Sequence, residues 1–321
     1  SGADIIDFDG DGKLDVLAGF ETRNELMVFK NLESTFHIET ITDSIFGYFY
    51  IKCIDFNQDG FEDALISCNP NSITYDEGLY AFINDGNYNY TPHLIYATNY
   101  DAVEQVEVAD MDLDGDLDLV IDFYSNDNFF WYVKNEGNQT YSGSYIDFAG
   151  SPAELYGVAD LNNDGFPDVL GAYYNYNASN FIIVAAENDT SLNDFIIHEI
   201  DTVTNTYEGV VADFVGSSLP DLIVSPVVYS STAANVWRND GNFNFSLVYI
   251  ATTQTYCRIY MPNDYDGDGD MDALATGLYN IHLLRNNGNG TFTSVLIAEE
   301  DAYQPVAWDD INGDGLKDIL T

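Results

Sequence analysis

The stretch Asp7-Phe8-Asp9-Gly10-Asp11-Gly12-Lys13-Leu14-Asp15 decides how this chain is read, because it recurs. Intact copies of the nine-residue pattern begin again at Asp55, Asp110, Asp160, Asp264 and Asp310, and a degraded copy begins at Asp213. The steps between successive starts are 48, 55, 50, 53, 51 and 46 residues. Self-similarity at a near-constant period of this size marks a repeat architecture in which each repeat is one supersecondary unit.

Around each copy the pattern is β throughout. A short alternating stretch such as Val106-Glu107-Val108-Ala109 leads into the acidic loop, and an apolar run such as Leu117-Asp118-Leu119-Val120-Ile121-Asp122-Phe123 leaves it. A third strand then ends in a Gly-containing turn, as at Asn84-Asp85-Gly86, Asn135-Glu136-Gly137, Asn239-Asp240-Gly241 and Asn286-Asn287-Gly288. Such turns supply the positive φ angles of a tight hairpin. A fourth strand closes the unit, and no stretch sustains a 3.6-residue apolar period. Four strands per repeat of about 50 residues describe a propeller blade. The fold expected is therefore all-β: a single seven-bladed β-propeller domain over residues 1–321, with its last blade incomplete. The chain opens at Ser1 without a Met and stops three residues past Asp318. We expect a removed signal or a longer parent polypeptide, and a continuing chain or another segment that completes the ring.

The loop has the chemistry of a calcium site. Ca²⁺ is a hard cation that takes six to eight oxygens, and a tight loop converges side chains from alternate positions on one point. Positions 1, 3, 5 and 9 supply side-chain oxygens, position 7 a backbone carbonyl, and a Gly at position 6 permits the sharp turn. The first set is Asp7, Asp9, Asp11, the carbonyl of Lys13, and Asp15. The second is Asp55, Asn57, Asp59, Phe61 and Asp63, and the third Asp110, Asp112, Asp114, Asp116 and Asp118. The fourth is Asp160, Asn162, Asp164, Phe166 and Asp168. The sixth is Asp264, Asp266, Asp268, Asp270 and Asp272, and the seventh Asp310, Asn312, Asp314, Leu316 and Asp318. In the fifth loop Val215 stands where an oxygen donor is needed and Ser218 replaces the Gly, so about six ions are expected, the fifth loop staying empty while its hairpin is kept. An EF-hand is excluded, since position 12 carries no Glu and the flanks are β rather than helical. The expected role of the ions is bracing hairpins, with affinities of about 10⁻⁴–10⁻³ M that fill outside cells.

These loops, in particular Asp110 to Asp118 and Asp264 to Asp272 with the β runs after them, resemble the FG-GAP/VCBS repeat family, which includes bacterial secreted propellers and the headpiece of integrin α-subunits. The resemblance spans essentially the whole chain. The degraded fifth loop and the absence of a turn Gly near Asn188-Asp189 depart from it. It implies a calcium-braced propeller outside the cytoplasm, secreted or at the cell surface, and a role in adhesion or ligand binding.

Composition narrows the function classes. The 54 acidic against 9 basic residues give a formal charge of −45, which excludes nucleic acid as a natural partner. The six intact loops hold 21 Asp carboxylates at ligand positions, so six bound ions would leave −33. No apolar run is long enough to insert in a membrane. The three cysteines, Cys53, Cys68 and Cys257, make no disulfide framework, although Cys53 and Cys68 flank the second loop and a bridge or a pair of buried thiols would both suit them. Lys30, Lys134, Arg238 and Arg285 each precede the turn of their repeat, a placement that points to pairing with nearby carboxylates. Three of the four histidines sit in fourth strands, as repeat-locked structural residues do, and no catalytic triad or basic cluster is suggested. We therefore expect no enzyme. The leading expectation is a module that binds glycan or protein; the alternative is a non-catalytic accessory domain of a larger secreted enzyme, and a polysaccharide-degrading enzyme ranks last. Aromatic rings stack on the apolar faces of sugars. Tyr173, Tyr174 and Tyr176, in a loop-like stretch of an atypical repeat, are the candidate ligand platform.

Overall fold

The computed structural model describes the chain except residues 1, 21–22, 33–34, 44–49, 69–77, 87–88, 98–101, 124–128, 149–152, 190–193, 205, 207, 226–232, 253–257, 277–279, 300–306, 315–316 and 321. Its strands form six four-stranded antiparallel sheets and a two-stranded seventh. Blade 1 is Ala3–Ile6, Asp15–Phe20, Glu25–Asn31 and Phe36–Thr42. Blade 2 is Ile51–Ile54, Asp63–Cys68, Gly78–Asn84 and Tyr90–Ala97. Blade 3 is Val103–Ala109, Asp118–Phe123, Phe129–Asn135 and Tyr141–Asp147. Blade 4 is Ala153–Ala159, Asp168–Asn175, Asn180–Asp189 and Asp194–Val203. Blade 5 is Glu208–Ala212, Asp221–Ser225, Ala233–Asn239 and Phe245–Thr252. Blade 6 is Arg258–Asn263, Asp272–Thr276, Asn280–Asn286 and Phe292–Glu299, and the seventh sheet pairs Ala307–Asp309 with Asp318–Leu320. Among the described residues there is no helix, and hence none long and apolar enough to cross a membrane.

Strand order within every blade follows the chain, each strand antiparallel to the last. The first strands of blades 1 and 2, 3 and 4, 4 and 5, and 5 and 6 lie against one another, and that of the seventh sheet packs beside that of blade 1. The Tyr50 hydroxyl donates to the Val106 carbonyl of blade 3, and Tyr265 of the sixth loop packs on Trp308 of the seventh sheet, which closes the ring. First strands are thus innermost, and fourth strands form the exposed rim, as in Phe36–Thr42 and Phe292–Glu299. Because strands alternate, the acidic loops and the third-to-fourth-strand turns emerge together on one face of the disc. The second-to-third-strand connections emerge on the other.

The core is made between blades. A blade has neighbours on both faces, so its second strand is covered on both sides, as in Asp118–Phe123, which sets Leu119-Val120-Ile121 between two aspartates and is buried along its whole length. Successive side chains still point to opposite sides of the sheet. Leu119 and Ile121 pack with Leu65 and Leu79 of blade 2, while Val120 packs with Val169 and Val184 of blade 4. Equivalent clusters join blades 1 and 2, 4 and 5, and 5 and 6. Each such side chain contributes about 1.5–3 kcal/mol through burial. Cys53 is a free thiol that packs against the cluster between blades 1 and 2. Ile51 to Ile54 pair with Ile66 to Asp63, which sets Cys53 opposite Ala64.

Candidate metal centres

Each acidic loop joins the first two strands of its blade, and its position-1 carboxylate organises the turn. The two oxygens of Asp7 accept the backbone N–H groups of Asp11 and Gly12 at 3.1 and 3.0 Å. Asp55, Asp110, Asp160 and Asp264 do the same at positions 5 and 6 of their own loops. Asp310 accepts the N–H of Asp314 at 3.0 Å. Position 6 lies in the left-handed region, at +84° for Gly12 and +98° for Gly115, where a Cβ would be strained. The position-5 carboxylates Asp11, Asp59, Asp114, Asp164 and Asp268 accept the N–H of Lys13, Phe61, Asp116, Phe166 and Asp270 respectively. Leu316, position 7 of the last loop, lies outside the described residues.

Position 9 is the anchor. Asp15, Asp63, Asp118, Asp168 and Asp272 open their second strands with exposures of 1% or less. One oxygen of each accepts the N–H of loop position 2, at 3.1 Å for Phe8, 3.0 Å for Phe56, Met111, Leu161 and Tyr265. The other accepts the N–H of an Asn at the end of the third strand: Asn31, Asn84, Asn135, Asn188 or Asn286, at 2.6–2.9 Å. Burial pushes these carboxyls up, to about 6 for Asp15, Asp63 and Asp118 and about 7 for Asp168, against the opposing pull of the backbone N–H groups; the neighbouring loop carboxylates push the same way as burial.

In the first, third and sixth loops, positions 1, 3 and 9 meet at one point. One oxygen from each of Asp7, Asp9 and Asp15 lies within 4.8 Å of the other two, and so do those of Asp110, Asp112 and Asp118 and of Asp264, Asp266 and Asp272. The Oδ1 atoms of Asp9 and Asp112, both at position 3, are buried and accept no hydrogen bond. A buried, unpartnered carboxylate oxygen beside two more carboxylates is costly unless a cation satisfies it. An all-oxygen donor set of this kind suits a hard divalent ion, so the residues fit calcium. In the second, fourth and seventh loops the position-3 Asn keeps an oxygen in the same place and accepts the position-5 N–H at 2.9–3.0 Å. Its second lone pair stays available.

The fifth loop keeps the frame without the donors. Asp213 accepts the N–H groups of Ser217 and Ser218, both at 2.9 Å, and Asp221 accepts those of Phe214 and Val215 at 2.9 and 2.8 Å. Val215 and Ser217 bring no carboxylate to positions 3 and 5, so the hairpin expected from sequence is present without a calcium donor set.

The repeat-locked cations pair as their placement predicts. Lys134 reaches Asp112, and Asp114 at 3.4 Å; Arg285 lies 3.6 Å from Asp266, Arg238 2.6 Å from Asp240, and Lys30 3.0 Å from Glu39. Lys134 thus sets its ammonium among carboxylates of the third loop. At the hub, a cavity of about 670 Å³ is lined by the inner strands of blades 2 to 6 and carries Glu104, Glu107, Glu154 and Glu208. Lys52 enters it 3.6 Å from Glu107.

The candidate tyrosines are separated. Tyr173 is 3% exposed, packs with Phe148 in the blade 3–4 core, and donates its hydroxyl to Glu199 at 3.0 Å. Strand alternation turns it inward and removes it from any surface platform. Tyr174 packs edge-on against Tyr176 at 5.0 Å and Phe181 at 5.1 Å, and Tyr176 is 62% exposed. The residues that sequence reasoning undervalued are the third-strand asparagines. They read as turn formers, yet they cap the position-9 carboxylates. The available signal was an Asn in each of the first six repeats, 14 to 21 residues after the position-9 Asp.

Comparison with known proteins follows the same lines. A profile of the FG-GAP-like repeat matches residues 7–66, 55–121 and 264–321, more than half the chain. No curated protein matches the sequence. Among solved structures, an Agrocybe aegerita lectin, described for specific recognition of non-reducing terminal N-acetylglucosamine, has 19% identity and a TM-score of 0.63, over 92% of this chain and 79% of the lectin. The V. cholerae biofilm matrix protein Bap1 has 10% identity and a TM-score of 0.53, over 98% of this chain and 72% of Bap1. BBS1N, in complex with ARL6DN, has 8% identity and a TM-score of 0.54, over 95% and 82%. At these identities the likeness is one of fold.

Proposed function

This chain belongs to the FG-GAP-like repeat family, and from that premise we propose a calcium-braced, seven-bladed β-propeller that works outside the cytoplasm as a module binding glycan or protein. The observation that carries the calcium reading is the convergence of positions 1, 3 and 9 together with the unpartnered oxygens of Asp9 and Asp112. Calcium here is held by Asp7, Asp9, Asp11 and Asp15 and by their counterparts in five further loops. It neutralises carboxylates that otherwise repel, and pins each hairpin to its blade. We read this chemistry as structural and the chain as a binder rather than an enzyme.

Ligand binding is supported by the fold neighbours, one a lectin and one a biofilm matrix protein. It is also supported by the aromatic pair Tyr174 and Tyr176, on the face opposite the loops. A ring held edge-on by its neighbour offers a rigid stacking surface to a sugar. The test is a glycan array with calcium and with chelator. Calcium-dependent binding to a defined sugar, weakened at least tenfold in Tyr176→Ala, supports the reading; a calcium-loaded, folded protein that binds no sugar removes the glycan version and leaves a protein ligand.

A further inference from the structure

The third-strand asparagines do more than cap their own loops. Asn188 Nδ2 donates to the carbonyl of Met111 at 2.7 Å, and Met111 is position 2 of the loop in the preceding blade. Asn239 repeats this onto Leu161 at 2.8 Å, Asn286 onto Phe214 at 2.7 Å, and Asn31 onto Ile311 across the ring closure at 2.6 Å. Each carbonyl belongs to a residue whose own N–H is held by the position-9 Asp of its loop. Each Asn likewise gives its backbone N–H to the position-9 Asp of its own blade. The bonds therefore run in series: from Asp118 through Met111 and Asn188 to Asp168, and onward through Leu161 and Asn239 to Asp221. Phe214 and Asn286 carry the series from there to Asp272.

Most joints of this series are dry, while Asn188 and Ile311 are half-buried. Met111, Leu161, Phe214, Asn239 and Asn286 are at most 2% exposed. Desolvated hydrogen bonds are directional and costly to leave unmade. Loop position 2 lies between two of the calcium donors, positions 1 and 3, so fixing its carbonyl fixes the backbone that aims both. Around blade 2 the links differ: Asp7 donates its N–H to Glu62 at 2.9 Å, and Gln58 Nε2 donates to the carbonyl of Gly115 at 2.6 Å.

We infer that Asn31, Asn188, Asn239 and Asn286 are positioning residues that couple the acidic loop of one blade to the position-9 carboxylate of the next, and that blade 5, whose loop lacks a donor set, transmits this coupling between the fourth and sixth loops. The inference rests on the calcium reading above. Blade 5 separates clasp from coordination, because it keeps Asp221 and Asn239 without a donor set.

Asn239 gives the sharpest test. Its side chain touches the fourth loop through Leu161 and its own ion-free loop through Pro220. Hydrogen exchange of the Asp164 and Gly165 amides, followed against calcium concentration, reports the fourth site; the Asp11 and Gly12 amides report the first. In Asn239→Ala the fourth-loop midpoint rises about tenfold, the usual cost of losing an outer-shell partner, while the first-loop midpoint stays put. An unchanged fourth-loop midpoint overturns the inference. A wild-type measurement needs no variant: protection of the Asn239 amide rises at the fourth-loop midpoint while the rim strand Phe245–Thr252 lags. If the Asn239 amide ignores calcium while the fourth-loop amides respond, the coupling is refuted. Wild-type loops that show no calcium response at all refute instead the calcium reading beneath it.

Discussion

Asp221 accepts the backbone N–H of Asn239 at 2.8 Å, the same bond that Asp168 makes to Asn188 at 2.9 Å, although only the fourth loop has a calcium donor set. The anchor and the ion site are thus separable parts of one hairpin. The position-9 carboxylate is a backbone clamp first, and the donors at positions 1, 3 and 5 are built onto the turn it stabilises.

Asp221→Ala removes that clamp where no ion intervenes. It leaves the N–H groups of Phe214, Val215 and Asn239 without acceptors in a buried site. The expected cost is about 2–4 kcal/mol in chelator, read by urea denaturation, and no smaller with calcium, because Asp221 also holds the Asn239 clasp on the fourth loop. A variant as stable as wild type in chelator refutes the clamp.

Ser218 holds φ = +69° where the intact loops have Gly. A Cβ in that region costs about 1–2 kcal/mol, partly offset by the greater entropy Gly has when unfolded. Ser218→Gly is expected to raise stability by about 0.5–1 kcal/mol, a Tm gain of about 1–3 °C. A lower Tm shows that the Ser hydroxyl makes a compensating contact.

Lys134 competes with any cation in the third loop, since its ammonium contacts Asp112 and lies 3.4 Å from Asp114. Lys134→Gln removes the competitor and restores two unbalanced carboxylates. Calcium at the third loop is expected to bind about three- to tenfold more tightly, at an effective dielectric near that of a protein surface, measured by titration of the Asp114 and Gly115 amides. Weaker binding identifies the ammonium as part of the site rather than a rival.

Acid response follows from the clamp carboxyls. Burial lifts Asp63 and Asp221 to about 6 and Asp168 to about 7, above their unfolded value of 3.8. Folded protein without metal therefore holds more protons than unfolded protein between about pH 4 and 7. In chelator, the contribution of these groups to stability is fully present below pH 4 and is lost as pH rises through 6–7. Calcium loading near pH 6 expels protons, seen as a binding enthalpy that depends on the ionisation heat of the buffer. Identical enthalpies in MES and imidazole buffers at about pH 6.5 contradict the protonated clamps.

Chelation tests the brace as a whole. At calcium ten- to a hundredfold above each Kd, a site adds about 1.4–2.7 kcal/mol. Removing the ions is expected to lower Tm by well over 10 °C, and an unchanged midpoint in EDTA refutes the brace.

The chain itself determined the repeat, the β alternation and the candidate donor residues, because those depend on contacts within nine or so residues. A loop such as Asp110 to Asp118 closes on itself by backbone bonds four and five residues apart, and local spacing is enough to read it. Tertiary structure alone decided which tyrosine is buried and what the third-strand asparagines grip. Tyr173 faces inward only because blade 3 packs against that side. Asn188 meets its carbonyl across 77 residues and Asn31 across 280. Partners that distant are brought together by closure of the ring, and no local pattern encodes them.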